Sequence, residues 1–281
     1  MKITIDDFNA VCPAARTPGD EIFQSIAVQI SKWNDWACAL STPEVCERLD
    51  SLDAETVAED YDTLTALRRY LVGLVCSMAF WDAIPQLDLV LTATGFGVVS
   101  NSNVAPASAE RVAALRSQIR RQALVNLEAA LEELRSLGVP AKSKLCARFF
   151  RSLFWRSSHM RRLGVIDPTL DDLQQHMPAL LQAQQSLAGY ISSEQMEALL
   201  RAQASAETDA EVCVAINKCR DYIAYHASDR LHLCETYALE ILGYMERNLD
   251  KFPEYRDSQT YKANHFERYE NKADDPCFFF I

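Results

Sequence analysis

Glycine is scarce in this chain, and that scarcity limits the folds open to it. The 281 residues contain 8 Gly and 10 Pro. β-Sandwiches and barrels need frequent turns, and nucleotide-binding α/β folds need glycine-rich loops. Hydrophobic residues make up 49% of the chain, enough to bury one large core or two smaller ones. The chain is therefore predicted to be globular and mainly α-helical, with a bundle-like body.

Apolar residues recur at helical spacing along most of the sequence. Ser41-Thr42-Pro43-Glu44 has the form of a capping box that starts a short helix. Pro85 should end a later helix, the one predicted over residues 62–84, near Ile84. The longer predicted helices cover about residues 21–40, 62–84, 108–137, 141–158, 169–189, 193–203 and 208–248.

One segment, Leu87 to Val104, has β-type rather than helical character. Two β-rich runs, Leu87–Thr92 and Phe96–Ser100, are joined through Ala93-Thr94-Gly95, which predicts one β-hairpin at about residues 87–104. Its exposed edge could pair with a strand of a partner, so Gly95 and Phe96 are candidate partner-binding residues. The alternative is a local cover over the core of helix 62–84.

The helical pattern suggests three parts: an N-terminal helical domain with the hairpin (1–138), a C-terminal helical domain (139–249) and a poorly periodic tail with an apolar C-terminus (250–281). Ile191–Leu200 also resembles Leu40–Leu49 in its order of apolar, hydroxyl and acidic residues. Two explanations are open: an internal duplication of a helical unit, or two unrelated helix junctions with the same capping chemistry.

The sequence offers no pattern for catalysis, a metal or a cofactor. His226 and His232 are six residues apart, a spacing that does not bring metal ligands together on a helix. The 9 Cys are odd in number, form no C-x-x-C motif and are expected to be reduced, mostly apolar side chains. No signal peptide and no uncharged apolar run of about 20 residues is present, so we expect neither secretion nor membrane insertion. We also expect no enzymatic activity.

Charge is distributed unevenly. The net charge is −11, yet no Asp or Glu occurs between Glu133 and Asp167. That window contains the cations Arg135, Lys142, Lys144, Arg148, Arg151, Arg156, Arg161 and Arg162. Three interpretations are open: a core helix with a solvated basic back, a surface for DNA or an acidic partner, and a helix on a membrane surface. The seven cations from Lys142 onward are candidate partner-binding residues.

The stretch LDLVLTATGFGVVSNSNVAPASAERVAALRSQIRRQ, Leu87 to Gln122, resembles an uncharacterised family of Bacteroidetes phage and prophage proteins. The resemblance implies a virion structural protein, such as a head–tail adaptor or a subunit of a connector ring. Its partners would be copies of itself, portal or tail components, and DNA passing through the assembly. Its location would be the virion, and the host cytoplasm during assembly. The alternative is a non-catalytic phage-encoded regulatory or host-directed binding protein.

The chain ends in four large apolar residues, Phe278, Phe279, Phe280 and Ile281, after a polar approach. They are candidate partner-binding residues because each apolar side chain left in water costs about 1.5–3 kcal/mol. They either dock on the same subunit or act as an arm that anchors to a neighbouring copy.

Deleting Phe278–Ile281 distinguishes these two roles. We expect the deletion to lower the melting temperature of the monomer, because docking within the subunit removes apolar surface from water. Differential scanning calorimetry measures this change. An unchanged melting temperature together with lost assembly would indicate the arm instead.

Overall fold

The computed structural model describes residues 1–13, 21–52, 60–87, 90–92, 95–97, 108–206 and 209–265. It confirms that the chain is mainly α-helical. The helices are α1 Ile5–Val11, α2 Glu21–Ser25, α3 Ala27–Ser41, α4 Pro43–Asp50, α5 Tyr61–Leu87, α6 Ala109–Ser136, α7 Lys144–Ala147, α8 Leu170–Ile191, α9 Ser193–Ala204, α10 Ala210–Ala227, α11 Leu231–Arg247, α12 Pro253–Arg256 and α13 Gln259–Asn264. Short 3₁₀ segments connect some of them, at Val139–Ala141, Arg148–Phe150, Ser157–Leu163 and Leu249–Lys251.

Two short strands lie between α5 and α6. β1 (Val90–Thr92) pairs antiparallel with β2 (Gly95–Gly97), so that Leu91 faces Phe96 across the ladder. The rest of the hairpin segment predicted beyond Leu87 falls outside the described residues. The predicted helix end at Ile84 was wrong, because α5 continues through Pro85 to Leu87. A proline in the last turn costs one backbone hydrogen bond and leaves the turn in place.

The chain divides into two compact units. Unit 1 contains Met1–Gln175 with Ala204–Glu207, and unit 2 contains His176–Gln203 with Thr208–Ile281. The division therefore falls inside α8 and not at the predicted boundary of 138/139. The first part of the predicted C-terminal domain, residues 139–175, belongs to unit 1. Val139, Cys146 and Phe150 of this part lie in the same hydrophobic cluster as α5 and α6.

Unit 1 is built on α5. One face of this helix packs on α3 and α6, and another face packs on α1 through a cluster that includes Phe8 and Phe80. By length and composition α5 could also cross a membrane, but 61% of its most apolar window is buried inside the protein. Burial of this kind is typical of a core helix. The buried residues that α5 and α6 contribute to the main cluster are Leu64, Leu67, Leu71, Leu74, Val75, Ala123, Leu127, Ala130, Leu131 and Leu134.

Unit 2 has a core of its own around the antiparallel pair α10 and α11. Tyr222 is fully buried on α10, and its hydroxyl lies 3.1 Å from the Ser186 hydroxyl of α8. Residues 250–264, predicted as part of a poorly periodic tail, instead form short helices. Phe252 and Tyr255 are fully buried there, and the Tyr255 amide donates to the side-chain oxygen of Gln195 at 2.9 Å.

The two helix junctions compared in the sequence have the same local geometry. Thr42 (φ 89°) and Ser192 (φ 79°) both adopt a backbone angle that non-glycine residues rarely take, and each starts a short helix. The burial patterns around the two junctions match when each residue of the first is aligned with the residue 150 positions later. The alignment of Leu40–Leu49 with Ile191–Leu200 by residue type has an offset of 151. The buried residues are Ser41, Thr42, Val45, Cys46 and Leu49 at the first junction and Ile191, Ser192, Gln195, Met196 and Leu199 at the second.

α5 and α6 approach each other closely at Gly73. A Cβ atom at this position would lie 2.5 Å from the Nδ2 atom of Asn126. We expect Gly73→Leu to lower the free energy of unfolding by about 1–3 kcal/mol, because overpacking forces neighbouring side chains or backbone to move. Urea unfolding followed by circular dichroism measures the change.

Two further variants test whether the cause is this contact. In an Asn126→Ala background, Gly73→Leu should cost less, since the clashing amide is gone. Gly189→Ala in α8, where a Cβ would meet no atom within 4 Å, should stabilise the protein by about 0.5–1 kcal/mol. An equal cost of Gly73→Leu in both backgrounds would contradict the assignment to Asn126.

Candidate partner-binding surface

The basic segment, residues 142–162, does not form the single helix predicted over 141–158. It consists of α7, a 3₁₀ turn at Arg148–Phe150, non-helical residues and a second 3₁₀ segment from Ser157. Two serine side chains bond to nearby backbone amides in this segment, Ser143 as the N-cap of α7. Ser143 accepts a hydrogen bond from the Cys146 amide at 3.2 Å, and Ser152 accepts one from the Phe154 amide at 3.1 Å. Such local bonds compete with continuous helix.

The apolar residues of the basic segment anchor it in unit 1. Phe150 and Trp155 are buried with ring centroids 4.9 Å apart, and Phe149 meets Trp36 of α3 edge to face. Cys146, Leu153 and Phe154 are buried as well. The burial of Phe150, Phe154 and Trp155 places these aromatic side chains in the protein interior and not on an exposed surface.

Most of the cations of the basic segment lie on the outside. The exposed ones are Lys142, Lys144, Arg148, Arg151, Arg161 and Arg162. Arg156 differs from them because it is half-buried, pairs with the Glu132 carboxylate and lies 4.3 Å from the Trp155 ring centroid. Arg135 also pairs with Glu132. Arg156 thus holds the segment on α6, while the other six cations face outward on a fixed backbone.

Two glutamates of α6 hold the basic segment in place, and sequence reasoning missed both. Glu128 accepts hydrogen bonds from the Ser157 amide at 2.6 Å and the Ser157 hydroxyl at 3.1 Å. Glu132 pairs with the two arginines. Glu128 and Glu132 are at positions i and i+4, so they share one face of α6. An acidic pair at this spacing before an acid-free basic segment was the signal available in the sequence.

A cavity of about 360 Å³ lies beside this contact. Its lining combines charged and apolar side chains, and two of the charged ones, Arg120 and Asp171, form an ion pair at 2.7 Å. Other lining residues include Arg121, Val125 and Asp167. A second groove of about 530 Å³ lies at the start of α4 and is lined by Thr42, Pro43, Glu44, Val45, Arg48, Leu137, Val139 and Lys142.

Of the other predicted partner-binding residues, the structure describes two, Gly95 and Phe96. Gly95 and Phe96 pair with Thr92 and Leu91 in the strand ladder. Phe278, Phe279, Phe280 and Ile281 fall outside the described residues. In the part of the chain that the structure describes, no group of three or more His, Cys, Asp or Glu side chains could hold a metal ion.

Several cysteines are buried as small apolar side chains. Burial raises the pKa of the Cys12, Cys146 and Cys219 thiols to about 12. Burial also raises the pKa of Cys76 far above its ordinary value. These thiols are protonated at neutral pH, and a protonated thiol is a poor nucleophile.

Fold and surface together define a mainly helical protein of two units, one of which presents an anchored basic segment. The chain belongs to a family of unknown function, DUF6712, whose model matches residues 40–138 and 220–265, just over half of the chain. The basic segment lies between the two matched ranges. No curated protein and no solved structure matches the chain.

Glu128 provides a direct test of how the basic segment is held. Glu128→Ala should lower the free energy of unfolding by about 1–3 kcal/mol, because it leaves the Ser157 amide without its partner. Glu128→Gln keeps one acceptor oxygen and should cost less. Chemical denaturation of the two variants measures both values. Equal stability of the wild type and Glu128→Ala would show that this contact does not hold the segment.

Proposed function

We propose that this protein is a non-enzymatic structural component of a phage virion, a head–tail adaptor or connector-ring subunit. It would assemble with copies of itself and with portal or tail components. The observation that carries the proposal is the construction of the basic segment. Its aromatic side chains are fixed in the core, and Glu128 and Glu132 of α6 bind it from the protein side. Its six exposed cations therefore lie on a backbone that needs no ordering upon binding.

The charge balance favours assembly over DNA binding by a single copy. Affinity for duplex DNA depends on neutralising phosphates, and a net charge of −11 opposes the approach of a polyanion. A basic surface on an acidic protein instead suits an acidic surface on a neighbouring subunit. In a ring the same cations would also be concentrated around one axis, where DNA passes.

An internal duplication is part of this proposal. The similar positive φ angles at Thr42 and Ser192, and the matched burial around them, support descent of both junctions from one helical unit. The hairpin would then be an addition to the first copy, because α5 and α6 are joined through β1 and β2 whereas α10 and α11 are joined by three residues. An added element of this kind suits a contact with a partner subunit.

Charge reversal in the basic segment tests the proposal. We expect Lys144→Glu with Arg148→Glu to weaken self-association at least tenfold, since a favourable charge contact becomes repulsive. The matched control reverses two exposed cations elsewhere, Arg111→Glu with Arg247→Glu, and should leave association unchanged. Sedimentation velocity measures the association constants. Wild-type protein that remains monomeric at high concentration, and that binds neither portal nor tail proteins, would refute the assembly role.

Mass spectrometry of purified virions separates this proposal from a regulatory or host-directed binding protein. A structural subunit must be present in many copies per particle, whereas a regulator should be absent.

A further inference from the structure

Two cysteines meet where α3 ends and α4 begins. Cys38 lies in the last turn of α3, and Cys46 lies near the start of α4. The backbone fixes both residues, because the Thr42 amide donates to the Cys38 carbonyl at 3.0 Å and the Cys46 amide donates to the Thr42 carbonyl at 3.1 Å. The two thiols hydrogen-bond each other across the junction. Thiols in this contact are within reach of the geometry that a disulfide needs.

The two thiols differ in their access to solvent. Cys46 is 7% exposed, and its sulfur lies 3.2 Å from the Ser41 hydroxyl oxygen. Cys38 is partly exposed, and its sulfur lies 3.5 Å from the Met1 nitrogen. Burial and the hydrogen bond with the Cys38 thiol raise the pKa of the Cys46 thiol to about 11, so Cys46 is protonated at neutral pH. An oxidant from solution therefore meets Cys38 first.

The second helix junction shows that this packing does not require thiols. In the alignment by burial, Cys38 corresponds to Ala188 and Cys46 corresponds to Met196. Both residues of the second junction are buried, and its backbone has a similar positive φ angle. Apolar side chains are therefore enough to build such a junction. The thiol pair gives the first junction a chemistry that the second one lacks.

We propose that Cys38 and Cys46 are a redox pair that closes into a disulfide when the folded protein meets a hydroperoxide. The Cys38 thiolate attacks one oxygen of hydrogen peroxide, the O–O bond breaks, and the departing hydroxide takes up the proton that Cys38 lost. The Cys46 sulfur then attacks the sulfenic acid formed on Cys38, and the sulfenic hydroxyl leaves with the Cys46 proton as water. Two thiols and one peroxide thus give one disulfide and two waters.

The disulfide would tie the end of α3 to α4, next to a contact that anchors the basic segment. The Ser143 hydroxyl donates to the Ala39 carbonyl at 3.0 Å, and Ala39 follows Cys38 directly. A cross-link lowers the entropy of the unfolded chain, so the oxidised form should be the more stable one. The biological setting of this reaction rests on the proposed function, because a virion leaves a reducing cytoplasm for an oxidising medium.

Peptide mapping of the oxidised protein tests the pair. Both cysteines lie on one tryptic peptide, Trp33–Arg48. The folded full chain is treated with hydrogen peroxide and then alkylated in denaturant. The peptide should lack two hydrogen atoms and carry no alkyl group. A peptide with two alkyl groups, or with Cys38 as sulfinic acid and no disulfide, would overturn the inference.

The chain contains a matched control pair. The Cys12 thiol lies 3.8 Å from the Cys76 carbonyl, so these two cysteines are also close together, but both are buried. They should be recovered as alkylated thiols from the same sample. Oxidation of Cys12 and Cys76 to the same extent as Cys38 and Cys46 would show unfolding and not a selective pair, and would overturn the inference.

Single substitutions test the order of the two steps. Cys46→Ala removes the second thiol, so Cys38 should pass on to sulfinic acid. Cys38→Ala removes the exposed thiol, so buried Cys46 should stay reduced. Cys213→Ala, at an exposed cysteine of unit 2, is the control and should leave the disulfide unchanged. Circular dichroism should show all three variants folded. Equal oxidation of Cys46 in the wild type and in Cys38→Ala would overturn the inference.

Thermal unfolding measures the effect of the cross-link. Oxidised wild-type protein should melt at a higher temperature than the same sample reduced with dithiothreitol, whereas Cys46→Ala should show no difference. An equal melting temperature of the oxidised and reduced wild type would contradict the clamp between α3 and α4. These results on the purified chain do not depend on assembly. Absence of the protein from purified virions would count against the proposed function alone.

Discussion

The packing of α5 on α6 determines the rest of unit 1. Gly73 allows the two helices to approach until Asn126 touches the α5 backbone region, and Leu127 and Leu131 then point into the shared core. That rotation of α6 places Glu128 and Glu132 on the adjacent face, where they bind Ser157 and Arg156. The α5–α6 pair thus positions the basic segment, although none of the six exposed cations of that segment lies on α5 or α6. A change in the angle at which α5 crosses α6 would therefore move these cations even if none of them were substituted.

Much of the helical architecture could be predicted from the sequence because apolar spacing records which face of a helix is buried. Leu67, Leu71 and Leu74 follow that spacing, and all three are buried on α5. The segment after Ser143 has the same spacing but is not one helix. Its side chains are buried by tertiary contacts with α3 and α6, while Ser143 and Ser152 satisfy backbone amides locally. Apolar spacing predicted burial there, and could not predict the conformation that achieves it.

The candidate surface was predictable only in its composition. An acid-free window of eight cations is visible in the sequence, and six of them are exposed. The sequence could not show that Arg156 is held by Glu132, 24 residues earlier, because that pairing exists only once α6 and the segment are packed together. The unit boundary inside α8 was missed for the same reason. Periodicity reports local burial, whereas boundaries depend on which core a helix face joins.

The buried cysteines have a consequence for handling the protein. In the folded state, burial keeps the thiols of Cys12, Cys76, Cys146 and Cys219 protonated and out of reach of oxidants. Unfolding returns their pKa values to the ordinary range and exposes them to one another at once. In aerated buffer an unfolded chain will therefore be captured by disulfide formation. Its shelf life without a reductant is then governed by the rate of unfolding rather than by the equilibrium between the folded and unfolded states.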